Sequence, residues 1–155
     1  HFYETYATKD GKFMAVGAIE PQFYAQLLKG MEIDPATLPA QMDRSKWPEL
    51  KLKFAEIFKQ KTRDEWTKIF AGTDACVAPI LSIGEAKQDE HMRARGTFVD
   101  VGGFVQPGPA PRFSATPNAT PTPPARAGAN TDEVLSKFSF APDEIAKLRE
   151  AGAIV

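Results

Sequence analysis

The chain has 155 residues, 43% of them hydrophobic and 25% charged, with a formal net charge of −1. These values suit a globular chain with a real core, give no electrostatic basis for binding nucleic acid or an anionic membrane surface, and leave no apolar run long enough to span a bilayer. The single cysteine, Cys76, excludes an internal disulfide and fits a reducing compartment.

Phe2 to Ala7 reads as a strand, with Phe2, Tyr3 and Tyr6 supplying aromatic bulk. Lys9-Asp10-Gly11 supplies a hairpin turn, since glycine accepts the positive φ that tight hairpins need. Phe13 to Gly17 follows as a strand whose two sets of alternate residues are both apolar or small, the pattern of a strand covered on both faces. Pro21 then sets a helix start and makes Glu20 the expected N-cap, with its charge at the positive end of the helix dipole. That helix carries Phe23, Leu27 and Leu28 on one face and ends near Gly30. Glu20 has two readings: a helix cap only, or an acid at a cleft between a buried strand and a helix start, where ligands are often held. Spacing does not separate them.

Residues 31 to 45, broken by Pro35 and Pro39, read as a short helical turn and a loop. Ser45 is the expected cap of the next helix, in which Trp47, Leu50, Phe54, Ile57 and Phe58 form an apolar stripe opposite a solvated basic side. Thr62 and Glu65 have the spacing of a capping box, opening a helix that buries Trp66, Ile69 and Phe70 and stops at Gly72. Cys76 to Leu81 is a short apolar strand that Pro79 confines to an edge; Cys76, with no basic neighbour in sequence, is expected to be a buried small hydrophobe. His91 lacks the surrounding pattern of a metal site and is expected on a surface helix. Thr97 to Val101 reads as a further strand. Between Gly102 and Ala129, which hold seven of the thirteen prolines, no regular element is expected. Thr131 then caps a short helix through Phe138, and Pro142 starts another carrying Ile145 and Leu148. This pair has too few apolar residues for a core of its own.

Three runs, FYETYATKDGKFMAVGAIEPQFYAQLLKG, TRDEWTKIFAGTDACVAPIL and TDEVLSKFSFAPDEIAKLREAGAIV, together give the chain a resemblance to the α-methylacyl-CoA racemases of the family III CoA-transferase superfamily along nearly its whole length. The resemblance implies an α/β (α+β) fold. Residues 1–101 form a small domain of a hairpin and short strands with packed helices, 102–130 form a Pro/Gly-rich connection, and 131–155 form a helical segment that packs on a large domain. It also implies that the chain is the C-terminal part of a subunit, which a start at His1 inside a strand-like run suits. The implied partners are an acyl-CoA substrate, an interlocked second identical subunit and the N-terminal large domain, with no cofactor, metal, nucleic acid or membrane. The ending AGAIV is not a peroxisomal SKL-type signal, which in a family with bacterial and peroxisomal members points to a bacterial cytoplasm.

Racemases of this kind remove the α-proton of a 2-methylacyl-CoA thioester, form an enolate and return a proton to either face. The chemistry needs two acid/base groups on opposite sides of the α-carbon, and donors for the enolate oxygen. In the family these groups are a His and an Asp upstream of anything in this sequence, so the fragment is expected to be inactive alone. By the resemblance, Glu20 matches a small-domain glutamate that reaches the catalytic histidine across the subunit interface, where a carboxylate orients the imidazole and stabilises its protonated form. Tyr3 and Ile19, beside the same turn, are implied to line the acyl pocket, with core packing as the competing reading. The same fold also serves CoA-transferases, which move CoA between carboxylates through an aspartyl anhydride; the Gly17-Ala18-Ile19-Glu20 turn is racemase-like, where transferases tend to carry a more glycine-rich loop. A free-standing binding module using the aromatic surface around Tyr3 and Tyr6 is the third reading.

Overall fold

Gly11 adopts φ 72°, the left-handed conformation the turn demands. The chain reverses there, so that β1 (Tyr3–Ala7) and β2 (Phe13–Gly17) pair antiparallel with Tyr3 opposite Gly17 and Ala7 opposite Phe13. β3 (Val77–Pro79) pairs antiparallel with the other side of β2, giving the order β1-β2-β3 with Pro79 on an edge, as expected. The computed structural model describes residues 1–155, which divide into two compact units, His1–Ala86 and Lys87–Val155.

In the first unit, α1 (Pro21–Gly30), α2 (Trp47–Phe58) and α3 (Arg63–Phe70) bury their apolar stripes against the sheet. Side chains alternate across a strand, so Tyr6, Met14 and Val16 enter the core with Leu27, Phe54 and Trp66. The other set of β2 residues is not covered. Met14 is fully buried, whereas Phe13 is 46% exposed. Three helices on a three-stranded sheet supply one covering layer, and the expected second layer is absent from this unit.

The Thr62 capping box forms as expected: Thr62 N donates to Glu65 Oε2 at 2.7 Å and Glu65 N to Thr62 Oγ1 at 3.3 Å. Ser45 does not cap α2. Asp43 instead accepts from both Ser45 N (3.1 Å) and Ser45 Oγ (2.7 Å), capping a 3-10 turn over Arg44–Lys46 that runs straight into the helix. The carboxylate, a stronger acceptor than a hydroxyl, sets the start two residues early and uses up the serine.

Behind β3, α4 (Ile83–Ala86) is tied down by Arg63, which is 6% exposed. The guanidinium donates to Glu85 from both terminal nitrogens (2.8 and 3.0 Å) and to Ile80 O (2.9 Å), and Glu85 also accepts from Ser82 N and Lys12 Nζ. The Arg63 guanidinium first, then the Ser82 amide and Lys12, hold the Glu85 carboxyl far below its ordinary value of 4.5. A depressed folded-state value stabilises the fold above the ordinary value, and the contribution is lost as the pH falls below it. The urea midpoint of the chain is therefore expected to drop between pH 5 and pH 3, and Glu85→Gln to lower the pH 5 midpoint while flattening that acid limb; an unchanged slope in the variant would remove Glu85 as its source.

In the second unit, α5 (Glu90–Ala94) starts at Asp89, whose carboxylate accepts from Met92 N at 3.0 Å, and His91 lies exposed on it, as expected. β4 (Phe98–Val101) turns through Gly102 and Gly103, with φ 62° and 86°, into β5 (Phe104–Pro107), with Val101 opposite Phe104. This hairpin corrects the expectation of no element beyond Gly102. The two compact units divide at Ala86, with Thr97 to Val101 in the second. No helix or strand then occurs until α6 (Thr131–Lys137), whose N-cap is Asn130 and not Thr131. α7 (Pro142–Glu150) begins with Ala141 N donating to Glu144 Oε2 at 2.8 Å, and Arg149 pairs with Asp132 across the two helices at 2.5 Å. No helix is long and apolar enough to cross a membrane.

Candidate functional site

β2 ends at Gly17 and α1 begins at Pro21, so Ala18, Ile19 and Glu20 must turn the chain between them. Ala18 is fully buried and anchors the turn, Gly17 N donates to Cys76 O at 2.9 Å, and Ile19 N donates back to Gly17 O at 2.9 Å. Pro21 occupies the first helical turn, and the Glu20 carbonyl accepts from Phe23 N and Tyr24 N. Glu20 is the N-cap by backbone conformation (φ −74°, ψ 144°), yet its side chain accepts no cap hydrogen bond. The N-cap position is as expected but the side-chain bond is not made: a glutamate has one methylene more than the aspartate that caps well, and its carboxylate extends past the free amides. The group is exposed, at the positive end of the helix, with no hydrogen bond or ion pair inside the chain.

Tyr3 and Ile19 are 70% and 43% exposed, which removes the core-packing reading for both. Tyr3 lies opposite Gly17, its ring 4.0 Å from where a Cβ on Gly17 would sit. With Thr5, Ala15, Gly17, Cys76 and Ala78 it lines a shallow depression of about 590 Å³ on the uncovered sheet face. Ile19 and Glu20 follow Gly17 at the same end of the sheet, but they are not among its walls. Cys76 does not behave as expected. It is exposed, with φ 52° and its Sγ 3.8 Å from Asp74 O, because its carbonyl is committed to Gly17 N and the backbone then turns the side chain outward.

One polar residue at the turn had no signal in the sequence. Gln41, in the connection before α2, donates from Nε2 to Ile19 O at 2.8 Å and to Ala18 O at 3.2 Å. The main-chain carbonyl of Gln41 accepts from Trp47 Nε1 at 2.9 Å, and the Trp47 ring meets Phe2 edge-on at 5.5 Å. Periodicity identified Trp47 as packing and left its N–H unassigned.

The sequence model of CoA-transferase family III matches residues 1–131. The chain belongs to CoA-transferase family III. It is 50% identical to an alpha-methylacyl-CoA racemase of Mus musculus over 150 residues, covering 95% of this chain and 39% of that protein. It is 30% identical to a formyl-CoA:oxalate CoA-transferase of Rhodopseudomonas palustris over 129 residues, covering 79% of this chain and 30% of that one. A solved CaiB/BaiF family protein from Brucella suis has the same fold, with a TM-score of 0.67 at 19% identity over 88% of this chain and 37% of that one. The chain thus spans about two fifths of the length of the mouse relative.

Within this family III chain Glu20 has no acid/base partner. His1 is buried, its Nε2 3.1 Å from the Tyr24 hydroxyl, which burial pushes up to about 12. His91 belongs to the other unit. No three His, Cys, Asp or Glu side chains cluster as metal ligands would. What the turn offers is an unpaired carboxylate on a hydrogen-bonded mount beside an apolar sheet face.

Proposed function

We propose that this chain is the small-domain and C-terminal part of an α-methylacyl-CoA racemase, and that its role in the reaction is to present Glu20 to a histidine on another part of the assembled enzyme. The observation that carries the reading is the exposed Glu20 carboxylate, which neither caps its helix nor pairs with anything in the chain. A charge left unpaired at a sharply held turn makes sense when its partner is supplied from outside. The 50% identity to a racemase, against 30% to a transferase, supports proton transfer over CoA transfer.

In this scheme an imidazole takes the α-proton of the 2-methylacyl thioester, and the electron pair of the C–H bond forms the enolate. An acid on the opposite face returns a proton to the α-carbon. Glu20 accepts a hydrogen bond from the distal imidazole N–H, fixing the tautomer and favouring the imidazolium. Tyr3 and Ile19 supply apolar surface to the acyl chain at the same end of the sheet. The second subunit and the large domain bring the histidine, the acid and the enolate donors.

Supplying the N-terminal part of a related racemase and following loss of deuterium from the α-carbon of a 2-methylacyl-CoA tests this. Exchange is expected only when both parts are present, with Glu20→Gln slowing it about tenfold, since the amide can still orient the ring but carries no charge for the imidazolium. A folded complex that moves CoA to a free carboxylate without exchange overturns the reading.

A further inference from the structure

We infer that Gln41 is a positioning residue for Glu20, and this rests on the racemase reading above. The turn has four carbonyls to satisfy between β2 and α1. Gly17 O accepts from Ile19 N, and Glu20 O accepts from the first amides of α1. Ala18 O and Ile19 O receive their side-chain hydrogen bonds from one atom, Gln41 Nε2. This single amide grips both peptide units immediately before Glu20, so it sets the direction in which the Glu20 Cα–Cβ bond leaves the backbone.

Gln41 is itself held. Its main-chain carbonyl is fixed by Trp47 Nε1, which anchors the backbone from which the side-chain amide extends, and Trp47 packs on Phe2 in the core. The line Phe2, Trp47, Gln41, Ile19 therefore runs from packed interior to exposed turn. The connection that carries Gln41 contains no α-helix, and Gln41 reaches back 22 residues to Ile19. A loop side chain that spends its donor on two turn carbonyls does for Glu20 what supporting hydrogen bonds do for any catalytic carboxylate: it limits the positions the group can sample.

The substitution to make is Gln41→Met, which keeps length and removes both donors. In the full-length protein that contains this sequence, kcat for deuterium loss is expected to fall about tenfold with KM changed by less than about twofold, because only the orientation of a group acting in the transition state is loosened. On a Glu20→Ala background, which leaves no side chain at the turn to orient the imidazole, the same change is expected to add no further loss. Hydrogen exchange of a peptide covering residues 17–24 is expected to quicken while peptides of α2 and α3 stay unchanged. An equal loss with and without the Glu20 carboxylate, or unchanged exchange in residues 17–24, overturns the positioning role and leaves the racemase reading intact. Absence of deuterium loss in the unsubstituted full-length protein overturns both.

Discussion

Trp66→Ala is expected to destabilise the chain by about 3–5 kcal/mol, the range for removing a large aromatic side chain from a packed interior. Trp66 is 1% exposed and touches two rings: Phe58 at 5.0 Å between centroids and Phe70 at 5.8 Å. Its indole N–H donates to Phe58 O at 2.8 Å, linking α3 to the end of α2. Truncation removes the ring contacts and leaves that buried carbonyl without its donor, so cavity and hydrogen-bond losses act together. Trp66→Phe keeps most of the volume and loses the donor, and should cost about 1–2 kcal/mol. Urea unfolding followed by far-ultraviolet circular dichroism measures both without relying on the tryptophan as reporter. A Trp66→Ala variant within about 1 kcal/mol of the parent would mean that the α2–α3 corner collapses to fill the space, and that the core is less tightly determined than its packing implies.

The elements whose cause is local were legible in the sequence. The Thr62–Glu65 box, the Asp10-Gly11 turn, the α2 stripe and the proline at the start of α1 each depend on residues within a turn or two of one another, and each appears where those residues put it. The misses share a different cause. Gly102-Gly103 is as good a hairpin signal as Asp10-Gly11, but the prolines that follow it outweighed it, although Pro107 sits at the strand's end where its missing N–H does no harm. Cys76 was assigned by the apolarity of its neighbours, whereas its exposure follows from a backbone bond to Gly17, 59 residues away in sequence. The β2 face that carries Phe13 is uncovered within its own unit, since a pattern of apolar residues reports a demand for cover without saying what meets it.

The candidate site divides the same way. Glu20 was identifiable as unusual because an acid stands between a strand and a proline, whereas Tyr3 entered only through the family resemblance, and its place opposite Gly17 emerged from the strand register. Gln41 was invisible, since a side-chain amide bonded to backbone carbonyls more than twenty residues away leaves no periodicity, spacing or composition. Glu20 takes the N-cap position that Pro21 predicts, and only the side-chain cap bond fails to form, on side-chain length.

Gly30→Ala is expected to destabilise the chain by about 2 kcal/mol, against the usual gain of about 0.5–1 kcal/mol from the same change in a helix. Gly30 reads in the sequence as the glycine that stops α1, but the structure gives it another purpose. It is still helical, the C-cap is Met31 with φ −85°, and the left-handed residue beyond the helix is Glu32 with φ 57°. Positive φ is therefore not the reason for a glycine here. A Cβ at Gly30 would run into the Phe70 ring, meeting Cε1 inside van der Waals contact and both Cδ1 and Cζ at 3.0 Å. Phe70 is 4% exposed and stacked on Trp66, so the ring cannot swing aside without disturbing the most buried part of the core. Steric displacement of a packed aromatic outweighs the gain in backbone entropy. Phe70→Leu shortens the obstructing ring and should cost stability by itself, yet Gly30→Ala on that background should cost much less than it does alone. That coupling, read from urea midpoints of the four proteins, isolates the contact. Purely additive changes would show that α1 and α3 do not approach as closely as Gly30 allows, and would return Gly30 to the role of a helix end.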